Sequence, residues 1–547
     1  MGTDRGITPG FLAIILHAHL PYARHLEYKG VSQENWLFEA ITECYIPLVR
    51  MFDSLQQDQI PFRLTLSLSP TLLTLLGDEI LKQRYVEYLN RRIQLAQEEI
   101  IRNRHHQPFH RLANYYLQFF SETLDEFQNS YQQNLVAAFV RHHHRGNLEI
   151  ITTAATHAFL PLLGRYEGAV RTQICTGIDT FEHVTGIRPK GFWLPECGYY
   201  HGLETLLAEA GINYFFTETH AITHADKTPV FGINAPLDCG NSVYAFGRDP
   251  RSSRQVWSSA DGYPSDACYR EYHKDMGFEM EPHRLEAFIA VEGQPVRTGI
   301  KYHRVTGNGD SKQPYEPERA ANRAAQHAKD FILGQERELE RLSTMERHEQ
   351  PIIIAPYDAE LFGHWWFEGP LWLKSVIKNI AVSPSALTLC TCSDYLAQSN
   401  WIQKAVPSTS SWGESGYNRY WINENNGWIY PHIHAACERM EKLVTSLPTA
   451  NPTSPLFERA ANQAARSLLL GQASDWPFII QAKTTVDYAV QRIEDALARF
   501  NYLCESIESQ QIDERRLAAL ELLDDIFPTV DYRYYNNRFK LASVTTK

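Results

Sequence analysis

Two segments of the 547-residue sequence place a carboxylate directly behind a short apolar run. In GFWLPEC (191–197), Glu196 follows an aromatic run and a proline. In PIIIAPYDAE (351–360), Asp358 follows a tight β-prone run, and Glu360, His364, Trp365, Trp366 and Glu368 crowd behind it. Residues at the carboxyl ends of parallel strands border the cleft of a β/α barrel. Two acids so placed suit glycoside chemistry: one protonates the departing oxygen, and the other attacks the anomeric carbon or activates water. The bland alternatives are a solvated turn for Glu196 and an aromatic core cluster for 356–370. A retaining pair stands about 5–5.5 Å apart and an inverting pair about 6.5–9.5 Å, and chain spacing does not encode that gap.

His17 and His19 form an H-x-H at the end of an apolar run, so on a strand both side chains share a face. His157 ends another such run in THAFLP. H-x-H can supply two metal ligands, can bind sugar hydroxyls, or can belong to the core; hydroxyl binding suits the neighbouring acids best. Seven Trp or Tyr fall between 401 and 430, among them Trp412 and Trp421 amid Gly, Ser, Glu, Asn and Arg. An indole offers a broad apolar face for a sugar ring and one N–H donor. Interdomain packing is the competing reading for either Trp.

These residues need elements to hold them. Runs at 11–21, 62–70, 148–161, 191–197, 213–222 and 351–360 are short, apolar and β-prone, as buried parallel strands are. Helix-like stretches alternate with them at 34–55, 168–185 and 202–210, the last with Gly211 as its cap. That alternation predicts an α/β barrel. Residues 71–145 read as helical throughout, with a break at Gly77, and predict an insertion over the barrel's top. A charged helix is expected over 316–349. After a Ser-, Gly- and Asn-rich stretch at 409–426, helices are expected at 432–447, 456–473, 484–509 and 511–526. The expected division is a catalytic barrel over 1–70 and 146–400, a helical insertion over 71–145, and a helical C-terminal domain over 401–547.

The net charge of −12 argues against a nucleic-acid binder, which needs a basic face. Nine scattered cysteines without C-x-x-C suggest neither a zinc site nor a disulfide framework, and a cytoplasmic setting is expected. No targeting segment is expected: the 11–16 run is too short for a signal peptide, and residue 6 is Gly where myristoylation wants Ser or Thr. No membrane span is expected either.

Taken together, ILHAHLPY (15–22), ENWLFEAITECYIPL (34–48), ATHAFLP (155–161), GFWLPECGY (191–199), FGRDPRSSRQVWS (246–258), GYPSDACYREYHKDMGF (262–278), PYDAELFGHWWFEGP (356–370), SSWGESGYNRYW (410–421) and SDWPFI (474–479) resemble glycoside hydrolase family 57, and within it the 1,4-α-glucan branching enzymes. The resemblance implies a distorted (β/α)7 barrel with a helical insertion and a helix-rich C-terminal domain. It implies a metal-independent, cofactor-free retaining transfer on α-glucan, with Glu196 as nucleophile and Asp358 as acid/base. It places His17, His19 and His157 near the cleaved bond. Trp36, Trp412 and Trp421 then line the glucan groove, and Asp475 faces the cleft. The mechanism requires Asp358 to hold a proton near neutrality, so a raised pKa from burial or from Glu196 is expected. A monomer is expected.

Two departures bear on transfer against hydrolysis. Branching relatives often carry a lid Tyr after the nucleophile segment; in the comparable stretch, 223–245, Phe231, Asn234 and Tyr244 are the residues to inspect. Cys268 stands where some relatives have Trp. Rival expectations are an α-amylase-type hydrolase or 4-α-glucanotransferase, a non-catalytic glucan binder, and a metal-dependent polysaccharide deacetylase using the histidines.

Overall fold

The computed structural model describes residues 9–26, 33–258, 260–281, 283–284, 297–306, 312–343, 349–382, 385–446 and 454–536. Its strands are β1 (Gly10–Ala18), β2 (Leu64–Leu68), β3 (Leu148–Thr153), β4 (Gly191–Trp193), β5 (Tyr214–Thr217), β6 (Leu237–Asp238), β7 (Tyr244–Gly247), β8 (Ile352–Asp358), β9 (Leu387–Leu389) and β10 (Gln403–Lys404). They lie in the order β10-β6-β7-β5-β4-β3-β2-β1-β8, with β9 also on β1. Every ladder is parallel except β6 with β7. The seven longer-range strands β7-β5-β4-β3-β2-β1-β8 curl into a distorted barrel. Its open seam between β7 and β8 is bridged by the Asp249 N–H donating to the Ile354 carbonyl at 2.8 Å.

Six of these strands coincide with the predicted runs, β1 beginning one residue before its run. β7 was not among them, because YAFG stands between CGNSV and RDP without the longer apolar run that surrounds the equally short β4 and β5.

The period of two decides which side chains meet inside. On β1, Leu12, Ile14 and Leu16 pack outward against helices, whereas Ala13 and Ile15 join an inner cluster with Ile151, Trp193, Phe216, Phe246, Ile352 and Ile354. His17 continues the inward row of β1, and Asp358 continues that of β8. The register puts them on one rung, His17 beside Asp358 on one flank and beside Ser67 on the other. A polar layer thus caps an apolar plug at the strands' carboxyl ends.

Between β2 and β3 the chain is helical, at Pro70–Gly77, Glu79–Arg102, Gln107–Asp125 and Leu135–His144. Ser69 and Asp78 cap the first two, accepting from the N–H groups of Leu72 and Leu81. The long helix Pro317–Ser343 fills most of the predicted 316–349 segment, whose residues 344–348 lie outside the described ones, as do residues 1–8 with the myristoylation-like start. Beyond β10, helices run at Ile429–Ser446, Pro455–Gly471, Asp475–Ala482, Val486–Glu508 and Glu514–Leu523. No helix among the described residues is long and apolar enough to cross a membrane.

Candidate active site

Glu196 lies in a single tight turn after β4 and is 9% exposed. Its backbone sits in the left-handed region at φ 60°, followed by Cys197 at φ 50°. Such a conformation is uncommon for residues with a side chain and persists where surrounding contacts enforce it. Here they do. The Trp412 indole N–H donates to Glu196 Oε2 at 2.7 Å, and the Ser474 hydroxyl donates to Oε1 at 3.0 Å. The Trp412 backbone N–H also donates to the Glu196 carbonyl at 3.0 Å. Burial lifts the Glu196 carboxyl to about 7; the two hydrogen bonds oppose this, and the nearby Asp358 and Asp475 add to it.

Asp358 closes β8 and accepts from the Trp257 indole N–H at 3.3 Å. Its carboxyl is also raised, first by burial, against the Trp257 hydrogen bond and the positive charge of Arg248. The expected rise is therefore present, with burial as its leading cause. Glu360, two residues on, is raised to about 7 by burial; Tyr45 donates its hydroxyl to it, and the His19 backbone N–H donates at 3.3 Å.

The three histidines do meet. The His17 and His157 Nε2 atoms are 3.0 Å apart, and the His19 ring stacks 4.2 Å from that of His157. His17 stacks on Trp193 at 4.5 Å, the two ring planes nearly parallel at 5°. His157 is a third residue in the left-handed region, at φ 53°. Burial holds His17 and His157 well below the ordinary imidazole range, so both are neutral at pH 7. For His19 burial acts the same way, but Asp475, 3.2 Å from its Nε2, together with the charges of Glu360 and Glu196, outweighs it and raises the pKa. Both ring nitrogens of His17 and of His157 already have protein partners: Ser67 and His157 for the first, Ser474 and His17 for the second. Among the described residues, no group of three or more His, Cys, Asp or Glu is arranged to hold a metal ion.

The aromatic expectations divide. Trp412 is half-buried, touches Glu196, and has Arg248 over its ring at 5.4 Å. Trp36 is half-buried and meets Tyr488 edge-on at 6.0 Å. Trp421 is only 1% exposed, stacked 4.4 Å from Phe159, so its faces are covered by protein. Two residues escaped the sequence reading. Ser474 gave no signal beyond its place in SDWPFI, and Trp257, 57% exposed beside Asp358, none beyond its place in RQVWS.

In 223–245, Phe231 is buried edge-on to Trp401, and Tyr244 is a strand residue of β7. The Asn234 carbonyl accepts from Ile352, at the end of β8 opposite Asp358 and so roughly 20 Å away at about 3.3 Å per residue. None of the three is placed as a lid.

A parallel barrel with a buried carboxylate after β4 and a half-buried one closing β8, each hydrogen-bonded to an indole, is the arrangement of a glycoside-active enzyme. The sequence profile of Glycosyl hydrolase family 57 matches residues 13–404, and that of the 1,4-alpha-glucan branching enzyme C-terminal region matches 432–535. A 1,4-alpha-glucan branching enzyme of Thermococcus kodakarensis is 32% identical, over 95% of this chain and 78% of that protein. Among solved structures, the alpha-amylase AmyC of Thermotoga maritima superposes with a TM-score of 0.90 at 40% identity, covering 97% of this chain and all of that one (100%). The GH57-type branching enzyme of Pyrococcus horikoshii gives 0.85 at 32% identity, covering 97% and 98%. The chain belongs to glycosyl hydrolase family 57.

Proposed function

We propose that this chain is a retaining 1,4-α-glucan branching enzyme in which Glu196 is the nucleophile and Asp358 the acid/base. The observation that carries the reading is the unequal hydrogen bonding of two neighbouring carboxyls, Glu196 buried and Asp358 half-buried. Glu196 accepts two hydrogen bonds, at 2.7 and 3.0 Å, and Asp358 one at 3.3 Å. Hydrogen bonds to a carboxylate favour its ionised form. Against the burial that lifts Glu196 to about 7, these bonds favour the form in which Asp358 carries the proton the pair shares.

Asp358 then protonates the glycosidic oxygen as Glu196 bonds to the anomeric carbon, and the α-1,4 bond breaks. Asp358, now ionised, takes a proton from the 6-hydroxyl of an acceptor glucan, whose oxygen displaces Glu196 and forms an α-1,6 linkage. His19 and Asp475 would bind hydroxyls of the donor, with the His17 and His157 rings, whose nitrogens are already paired, packed beside them, and Trp412 and Trp36 would face its rings. Both acids and their partners come from one chain, which suits a monomer. Nine free cysteines fit a cytoplasmic setting.

A second reading, hydrolysis, has its own support. The 40% identity to an alpha-amylase and the placement of Phe231, Asn234 and Tyr244 away from a lid position both favour water as acceptor. Amylose incubated with wild type, E196Q and D358N separates the two. New α-1,6 proton signals with few new reducing ends, lost in both variants, are expected. Reducing ends without α-1,6 signals would make the chain a hydrolase. No turnover by wild type would overturn the enzyme reading.

A further inference from the structure

Ser474 sits where the chain returns to the barrel between the helices Pro455–Gly471 and Asp475–Ala482. Its backbone N–H donates to the His157 carbonyl at 3.3 Å, and Ala473 bridges Ala158. This strap is thus pinned to the segment that carries His157. Its side chain, 1% exposed, lies 3.0 Å from both His157 Nδ1 and Glu196 Oε1.

We propose that Ser67, His17, His157 and Ser474 form a one-directional hydrogen-bond chain ending on Glu196, with Ser474 as the residue that positions the nucleophile and keeps it ionised. The directions follow from counting hydrogens. An ionised carboxylate only accepts, so the single Ser474 hydroxyl hydrogen points to Glu196. The Ser474 oxygen must then accept, and His157 must carry its hydrogen on Nδ1. A neutral imidazole has one hydrogen, so His157 Nε2 is bare and accepts from His17 Nε2–H at 3.0 Å. His17 Nδ1 is then bare in turn, and the Ser67 hydroxyl donates to it at 2.9 Å. Each link fixes the next tautomer, and no link admits a reversal while Glu196 is charged.

Two further features agree with this assignment. The chain begins on β2, crosses β1 on the rung shared by Ser67 and His17, and reaches Glu196 through the C-terminal helical segment. Both residues flanking Ser474 in the chain, His157 and Glu196, hold left-handed backbones. The surroundings therefore enforce a geometry that local preference opposes.

The inference rests on Glu196 being the ionised member of the pair, as proposed above, and two experiments keep the claims apart. Neutron diffraction on wild-type crystals near pH 8 is expected to show deuterium on His157 Nδ1 and His17 Nε2. Deuterium on His157 Nε2 would overturn the chain, whatever the activity. In solution, S474A is expected to move the acidic limb of kcat/KM up by about 1–2 pH units, because the nucleophile loses a hydrogen bond to its charged form. Its kcat/KM should fall about 10- to 100-fold below that limb, yet approach wild type above it. A loss of equal size at every pH would mean that Ser474 serves packing alone and would overturn its positioning role. Should S474A not fold, the neutron result still decides the directions. Should wild type itself lack turnover on amylose, the nucleophile assignment fails, and the tautomers are judged separately.

Discussion

Glu196, Asp358 and Glu360 share one buried neighbourhood, and burial is the leading cause of the raised pKa in each. A carboxyl raised to about 7 when folded and near 4.3 when unfolded binds its proton more tightly in the native state. The stability this gives is complete below the unfolded value and is lost as pH rises through the folded one. Glu360 isolates the effect, since one oxygen accepts from both Tyr45 and the His19 backbone, and a glutamine oxygen can do the same. E360Q is expected to match wild-type stability at pH 4 and exceed it by about 2–4 kcal/mol at pH 8. Denaturant unfolding at both pH values tests this; a constant difference would refute it. At Asp358 the sign concerns rate. The Trp257 N–H stabilises the charged form, so W257F should raise the basic limb of kcat/KM by up to about 1 pH unit. A limb that stays or falls would show that Trp257 contributes only its face.

Elements carry these residues, and the loop behind β8 shows how tightly. Gly363 has φ 117°, a region that side chains seldom adopt, and a Cβ there would come within 1.7 Å of the Glu43 carbonyl oxygen. The helical stretch 34–57 thus presses on the loop that follows Asp358. G363A is expected to cost about 3 kcal/mol or more, from backbone strain and overpacking together. Thermal melting and activity should fall together; a melt like wild type would contradict the packing. Much of this architecture was legible in the sequence because apolar runs of five to nine residues report period and burial. β1 and β8 announced themselves, and so did the histidines and acids at their ends. β7 did not, because its four residues are flanked by polar turns, whereas the equally short β5 lies inside a longer apolar run. Trp421 looked like a sugar platform by composition, but a face is free or covered according to its neighbour in space, here Phe159. Ser474 was invisible for the same reason: a lone serine acquires a role only when residues some 300 positions away, His157 and Glu196, close around it.

At the scale of the molecule, the C-terminal helices complete the barrel's cleft. Their strap brings Ser474 to Glu196 and Asp475 to His19. A second junction lies below, where the chain leaves β1. The Tyr22 hydroxyl donates to the Asp525 carbonyl at 3.1 Å, and Arg492 donates to the Tyr22 carbonyl at 3.0 Å. Arg24, 6% exposed, pairs with Asp78 at 2.6 Å and donates to the Leu522 carbonyl at 3.0 Å. Asp78 in turn caps the helix Glu79–Arg102. One guanidinium therefore ties β1, the inserted helices and the C-terminal helices. Removing one partner of a buried pair costs about 3–5 kcal/mol, because the other charge is left without compensation. R24A is expected to lose about that much stability. Since the strap that holds the nucleophile belongs to the same packed body, activity should disappear in the same transition as helical circular dichroism, in wild type and in R24A alike. Heating in small steps, with residual turnover and ellipticity read on the same samples, makes the comparison. Turnover that outlasts the melting of the C-terminal helices would mean that the barrel alone holds Glu196 in its working position.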